Sequence, residues 1–343
     1  MGVTIKEVAK AAGVSSAAVS RVLHGGGGNI RVSEARAEQI RKAAADLRYV
    51  PNALARSLRV NRTHTIGLLF ENFSGIASGP LYIVTLLDGV ARTIFPRHYR
   101  LTILSEFDHD NVFGSLGDGR LDGVIWCKMA RDERVVEQIR TCPIPIVAMN
   151  GTGGEEGAPF VACDNRQGIE LALDHLAALG HRRLLFVNER EEDDAPDRLE
   201  RREAFLDGTA ARGLVGEAVS WSWSLDEFAD YRRGGGDHTA IIGWSERCAA
   251  RILLQAATLG LSVPDDLSVV GFDSTDFCET TRPRLTAVRQ PVLDMAACAA
   301  TTLIDLIEGT PSEGSAPLPS STLFPCTLDI RGSTAQPPRS REP

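Results

Sequence analysis

Apolar residues recur with two different periods along this chain of 343 residues. The change falls near residue 63. In "TIKEVAKAAGV" (4–14), Ile5, Val8, Ala9 and Ala12 fall on one helical face. Thr4 and Glu7 have the reciprocal spacing of a capping box, which marks a helix start. Gly13 supplies a tight turn, Ser15 can cap a second helix, and Val19, Val22 and Leu23 give that helix its apolar face. A third helix runs from about Ser33 to about Arg48, with Ile40, Ala44 and Leu47 inward. Three short helices with a glycine-containing turn between the first two predict a helix-turn-helix head.

Beyond residue 63 the pattern becomes short apolar runs alternating with amphipathic stretches such as "GIELALDHLAALG" (168–180). The runs are "TIGLLF" (65–70), "RLTILS" (100–105), "DGVIWC" (122–127), "IPIVAMN" (144–150), "RRLLFVN" (182–188), "TAIIGW" (239–244) and "LSVVGFD" (267–273). Strands that are apolar throughout, each followed by a helix, predict parallel sheets covered on both faces. They fall into two groups, so two α/β lobes of four strands or fewer are expected rather than one wide sheet.

The second helix of the head is unusual on its outer side. Ser15, Ser16, Ala17, Ala18 and Ser20 are all small, and Arg21 follows them. The second helix of this motif enters the DNA major groove with its N-terminal residues toward the base edges. Small side chains permit close approach; serine hydroxyls can donate or accept, and alanine methyls can pack on thymine methyls. Arg21 is long enough for a guanine or for a phosphate. Thr4, Arg31 and Ser33 sit where they could clamp the DNA backbone.

After the head, "RYVPNALARSLR" (48–59) has Pro51 to end one helix and Asn52 to cap another. That helix is shorter than the roughly 12–15 residues needed for marginal stability alone, so it must be ordered by docking. Leu58 has little core near it in sequence. It is either a wedge into a minor-groove base step or a leucine packing on the body.

Charge separates the two regions. The chain carries a formal −8, yet residues 1–62 hold eleven Lys and Arg against four Asp and Glu, leaving −15 on the rest. A basic head on an acidic body is expected to meet a polyanion through the head alone. The seven cysteines are scattered singly and read as buried thiols, neither a disulfide frame nor a zinc site. The N-terminus has no basic-then-apolar signal pattern and no run is long enough for a membrane helix, so the expected location is the cytoplasm.

"TIKEVAKAAGVS-x-x-x-VSRVL", "RYVPNALARSLR" and "THTIGLLF", in this order and spacing, resemble the lactose-repressor (LacI/GalR) family of bacterial transcription regulators. The likeness continues through "DNRQGIELALDHLAALGHRRLLFV", "GLSVPDDLSVVGFDSTDF" and "PRLTAVRQP". It implies an all-α helix-turn-helix head with a hinge helix, followed by a two-lobed α/β body like a periplasmic binding protein. The implied boundaries are 1–50 for the head, 51–63 for the hinge and 64–333 for the body. Lobe one would take about 64–181 and 291–323, lobe two about 182–290 and 324–333, with the chain crossing three times. A Pro-rich polar tail over 334–343 is expected to be disordered and, lacking leucine heptads, to leave a homodimer.

The resemblance also assigns roles. Ser15, Ser16, Ala17, Ser20 and Arg21 fall on the groove-reading helix; Asn52, Ala55 and Leu58 fall on the hinge helix, with Leu58 intercalating. The partners implied are double-stranded operator DNA and a small-molecule effector, a carbohydrate or related metabolite, in the cleft between the lobes. Asp273 matches an aspartate that holds effector hydroxyls, and Arg198 matches an effector arginine at a helix start. Of Trp221 and Trp223, which alternate along a strand so that only one can face the cleft, Trp223 matches the aromatic that stacks on sugars.

The chain departs from the family in its long "HGGGGNIR" loop (24–31), in "ENFSGIASGPLY" (71–82), and in Trp244-Ser245-Glu246 after the "TAIIG" strand. None of the common phosphate-loop, nucleophile-elbow or zinc-hydrolase motifs is present. "DHD" (108–110) reads as a polar loop rather than a metal site. Neither catalysis, a cofactor nor a metal is expected.

Overall fold

The computed structural model of the chain describes residues 3–24, 31–50, 62–70, 81–104, 111–127, 137, 139, 141–150, 158–189, 196–222, 227–309 and 321–338. It forms two compact units, residues 1–63 and 64–343.

In the first unit, helix α1 spans Ile5–Ala11. The Thr4 amide donates to Glu7 Oε2 at 2.7 Å and the Glu7 amide returns to Thr4 Oγ1 at 3.4 Å, closing the capping box. Gly13 makes the turn with φ +63°, a conformation that costs a side-chain-bearing residue more. Helix α2 spans Ser16–His24, with Ser15 Oγ accepting the Ala18 amide at 3.2 Å. Helix α3 spans Glu34–Asp46. Val8, Ala9, Val19, Ile40 and Ala44 bury the three helices against one another. Each buried Val or Ile contributes about 1.5–3 kcal/mol relative to exposure, which sustains helices too short to persist singly.

Among the described residues, the second unit holds two sheets of six strands, in the orders β11-β5-β4-β3-β1-β2 and β12-β10-β9-β8-β6-β7. The first contains β1 (Thr65–Phe70), β2 (Arg100–Leu104), β3 (Gly123–Cys127), β4 (Ile146–Met149), β5 (Phe160–Cys163) and β11 (Ser321–Phe324). The second contains β6 (Arg183–Glu189), β7 (Val215–Trp221), β8 (Ala240–Gly243), β9 (Ser268–Asp273), β10 (Thr286–Arg289) and β12 (Thr327–Asp329). All pairings are parallel except β10 with β12. Six strands per sheet correct the expected four or fewer. Apart from the short apolar β5, the added strands carry polar residues within three or four positions or, like β7, lie half-exposed at an edge, so no apolar run announces them.

The chain passes between the lobes after β5, after β10 and between β11 and β12. Helix Asn165–Leu179 follows the first passage and packs on the second sheet. There a Cβ at Gly168 would lie 2.9 Å from the Phe272 ring. The first passage therefore falls at Asp164, not near residue 181 as the sequence suggested. Helix Val292–Glu308 returns to cover the first sheet, packed on helix Leu81–Ile94.

The C-terminal segment is also placed differently from expectation. Ser333 is buried; its Oγ donates to the Val269 carbonyl at 2.6 Å and accepts the Thr286 amide at 2.8 Å. The Ala335 amide donates to Ser268 Oγ at 3.0 Å. These bonds dock the segment through at least Ala335, correcting the expected disorder from residue 334. They run largely through backbone groups, to which composition is blind.

Candidate nucleic-acid interface and ligand cleft

On the head, Thr4, Ser15, Ala17, Arg21, Arg31 and Ser33 are exposed and Ser16 is half-buried. Ser20 differs: it is 5% exposed and does not stand out on α2 as its small neighbours do. The helix phase puts it beside Val19, against the head's own core. The sequence counted it among the outward residues, and that expectation is corrected. Asn52, Ala55 and Leu58 lie outside the described residues, as do Gly25–Gly28 of the long loop.

In the body, the C-terminal ends of the strands carry backbone that is out of the ordinary. Asp273, closing β9, has φ +93°; Ser274 follows at +45°, and Asn150, just after β4, is at +53°. Left-handed backbone at side-chain-bearing residues is unfavourable and concentrates at functional sites. Such strand ends are where α/β sheets bind ligands.

A polar cluster occupies these ends. Arg201, 1% exposed on helix Pro196–Ala211, donates through Nε to Asn165 Oδ1 at 2.8 Å and through Nη1 to the Trp244 carbonyl at 2.7 Å. Its guanidinium lies 3.5 Å from Asp197 and 3.7 Å from Asp273, and its face rests 3.6 Å above the Phe272 ring centroid. Burial alone would lower its pKa; Asp197 and Asp273 outweigh that and raise it, so the charge persists. Asn165 also donates to Glu200 Oε2 at 2.7 Å. Burial raises the Glu200 pKa.

Asp273 Oδ1 accepts from Gln290 Nε2 at 2.6 Å. Glu246 accepts the Thr275 amide at 2.8 Å and the Thr275 hydroxyl at 2.6 Å. Its pKa is raised, first by burial and then by Asp273. Glu246 is thus more than a favourable charge at a helix start. It opens helix Glu246–Thr258, capped by Ser245 Oγ, and fastens the segment after β9.

From the first lobe, the Asn150 side-chain amide donates to the Tyr82 hydroxyl. Tyr82 is buried, and its pKa is raised by burial and by carboxylates including Asp197 and Asp273. A tyrosine of one lobe and two aspartates of the other thus share one electrostatic neighbourhood.

Among the residues anticipated for this cleft, Asp273 is in the cluster. Arg198 is buried on the same helix one turn before Arg201, whose guanidinium lies 3.7 Å from Asp273. Trp221 is core, packed on Phe228 and Tyr231 with ring centroids 5.5 and 5.9 Å away. Trp223 lies outside the described residues. Sequence reasoning missed Tyr82, Asn150, Asn165, Asp197, Arg201 and Gln290. The Asp197–Arg201 spacing of four was a usable signal for one helical face.

Residues 4–52 match the family model described as bacterial regulatory proteins, lacI family, and residues 173–334 match a periplasmic binding protein-like domain. The chain is 28% identical over 328 residues to the HTH-type transcriptional regulator CelR of Thermobifida fusca, covering 90% of this chain and 93% of the relative. A solved lac repressor dimer bound to operator and the anti-inducer ONPF superposes with a TM-score of 0.81 at 20% identity, over 98% of this chain and 100% of that one. A complex of the regulator CelR with cellobiose gives 0.68 at 25% identity, over 96% and 99%.

Proposed function

The chain belongs to the lacI family of bacterial regulatory proteins, and from that premise we infer that it is a sequence-specific DNA-binding transcription regulator controlled by a small-molecule effector. The observation that carries this is the pairing of a matched helix-turn-helix head with a two-lobed body whose strand ends hold a buried polar cluster. Repression is the favoured sense of the regulation, and the working form is a homodimer reading two half-sites of a near-palindromic operator.

In this reading the N-terminal residues of α2 lie in the major groove. Ser15, Ser16 and Ala17 approach base edges, and Arg21 reaches a guanine or a phosphate. Thr4, Arg31 and Ser33 hold the DNA backbone. Paired hinge segments carry Asn52, Ala55 and Leu58, and Leu58 wedges into the operator centre. The effector lies between the lobes against Asp273 and Arg201, with Arg198 and Trp223 as further contacts. It regulates by binding two arrangements of the lobes with different affinity.

Among the described residues no helix is long and apolar enough to cross a membrane. A gel-shift titration with the promoter region beside the protein's own gene tests the reading. Selective retardation that weakens as salt rises is expected. Equal retardation of unrelated DNA at moderate salt would overturn it.

A further inference from the structure

We propose that Cys163 and Cys326 are a reversible redox pair, which a peroxide joins in a disulfide that staples two of the three chain passages between the lobes and shifts operator affinity. The cross-link stands on the geometry of the passages; its effect on the operator rests on the regulator reading above.

The two cysteines are far apart in sequence, and the crossings bring them together. Cys163 is the last residue of β5, at the start of the first passage. Cys326 lies in the third, between Phe324 of β11 and Thr327 of β12. Strands β11 and β5 run parallel with Phe324 opposite Cys163, and the Asp164 amide donates to the Phe324 carbonyl at 2.8 Å. Beyond that point the passages stay bound to each other. Gln167 Oε1 accepts the Cys326 amide at 2.8 Å, and Gln167 Nε2 donates to the Cys326 carbonyl at 3.2 Å. Cys326 Sγ rests 3.5 Å from the carbonyl oxygen of Asp164, the residue after Cys163, and the two thiols lie within hydrogen-bonding reach of each other. Both are free thiols, 1% and 3% exposed.

The surroundings give the two sulfurs different parts. Cys163 keeps its proton: its pKa is raised well above the ordinary thiol value, first by the Cys326 thiol that it faces and then by burial. That leaves Cys326 as the attacking sulfur. Arg201, whose charge persists, interacts with both thiols, and a neighbouring cation favours a thiolate. The Cys326 sulfur takes one oxygen of hydrogen peroxide; the O–O bond breaks, giving a sulfenic acid and a hydroxide that leaves as water with the Cys326 proton. The Cys163 sulfur then attacks the Cys326 sulfur, the S–O bond breaks, and a second water departs with the Cys163 proton. Two thiols give up two electrons and two protons, and one peroxide becomes two waters. Burial restricts the oxidant to a small molecule, because thiol–disulfide exchange with a bulky disulfide needs access to the sulfur.

The bond would form where the lobes pivot. Cys163 Sγ also lies 3.4 Å from Asn165 Oδ1, the atom that accepts from Arg201 Nε at 2.8 Å. Oxidation removes the thiol proton beside that atom, so the change reaches the cluster at the strand ends. A staple across two passages holds the lobes in one arrangement, and a regulator that works by two arrangements then loses one.

The test oxidises the full, folded chain with hydrogen peroxide, blocks the remaining thiols with iodoacetamide and maps the peptides by mass. A peptide carrying Cys163 joined to one carrying Cys326, released by dithiothreitol, is expected, and glutathione disulfide should not produce it. Cys163→Ala should strand Cys326 as a sulfenic acid that dimedone traps, whereas Cys326→Ala should leave Cys163 reduced. In gel shifts with the promoter region beside the protein's own gene, oxidation should move half-saturation by at least about fivefold, an effect reversed by dithiothreitol and absent from Cys163→Ala.

Oxidation confined to the half-buried Cys142 and Cys298 overturns the proposal. So does a bond between Cys163 and Cys326 that forms only after unfolding, or one that moves operator affinity by less than the stated factor. The regulator reading is judged on the reduced protein: if that shows no selective retardation while the bond still forms, it is the regulator reading that falls.

Discussion

At Arg201 a single buried guanidinium faces two carboxylates, a carbonyl, an amide and an aromatic face. Removing it strands Asp197 and Asp273 near each other with far less compensation. Breaking a buried ionic arrangement from one side costs about 3–5 kcal/mol, because the remaining charge stays desolvated. Arg201→Ala should therefore lower the urea-unfolding free energy of the body by about that amount. A loss below about 1 kcal/mol, the range of a solvated surface pair, would show that the carboxylates do not depend on it. The sequence reading named Arg198 from its match to a family arginine at a helix start; Arg201 went unnamed because both lie in the charged run "DRLERRE", where no apolar period fixes the helix phase. Asp273 was legible because it closes an apolar strand, and a strand end is a position that alternation and length locate.

At the scale of elements, legibility followed burial only in part, since β2 was read though half-exposed and β5 was missed though largely buried. The strands β1, β3, β4, β6, β8 and β9 are largely buried along their length, so their runs are apolar throughout and could be read. Strands β10 (TAVR), β11 (STLF) and β12 (TLD) carry polar residues within three or four positions, so no continuous apolar run marks them. Helix Asn165–Leu179 was legible as a helix, but an amphipathic pattern does not say which sheet its apolar face will meet. The docked C-terminal segment was hidden because histidines and hydroxyls hold it largely through backbone groups.

That segment carries a pH prediction. His181 Nε2 donates to the Ala335 carbonyl at 2.9 Å, and Nδ1 accepts from Thr239 Oγ1 at 2.8 Å. Its neutral form is thus satisfied, and burial lowers its pKa below the ordinary 6.5. The unfolded chain then binds the extra proton more readily, so this contribution to stability is complete above pH 6.5 and declines as the pH falls below it. His175 and His238 are shifted the same way by burial. Glu200 and the buried Glu246, whose pKa values are raised, act with opposite sign, favouring the folded state as acid protonates them. Denaturant unfolding of wild type and His181→Gln between pH 5 and 7.5 isolates the one histidine, whose slope cannot exceed about 1.4 kcal/mol per pH unit. The variant should lose stability less steeply below pH 6.5 than wild type. Parallel curves would mean that His181 does not sense the proton.

On the scale of the whole molecule, the net charge of −8 divides into a positive head region and a strongly negative remainder. That division asks the two regions to do different work, and a regulator needs both kinds of work linked. Linkage through residues 51–61 has a thermodynamic consequence that does not depend on their detailed placement. If Leu58 wedges between bases, its side chain is buried only when operator is bound, so Leu58→Ala weakens operator binding and leaves effector binding nearly untouched. If Leu58 instead packs on the body, truncation leaves a cavity in the folded protein, and stability and both affinities drop together. Gel shift for operator and calorimetry for effector, on the same preparation, separate the two. A loss of at least about tenfold for operator with less than about threefold for effector is expected from the wedge, since one buried leucine is worth about 1.5–3 kcal/mol. Equal losses would relocate Leu58 to the protein's own core, and the effector would then have to reach the DNA by another route.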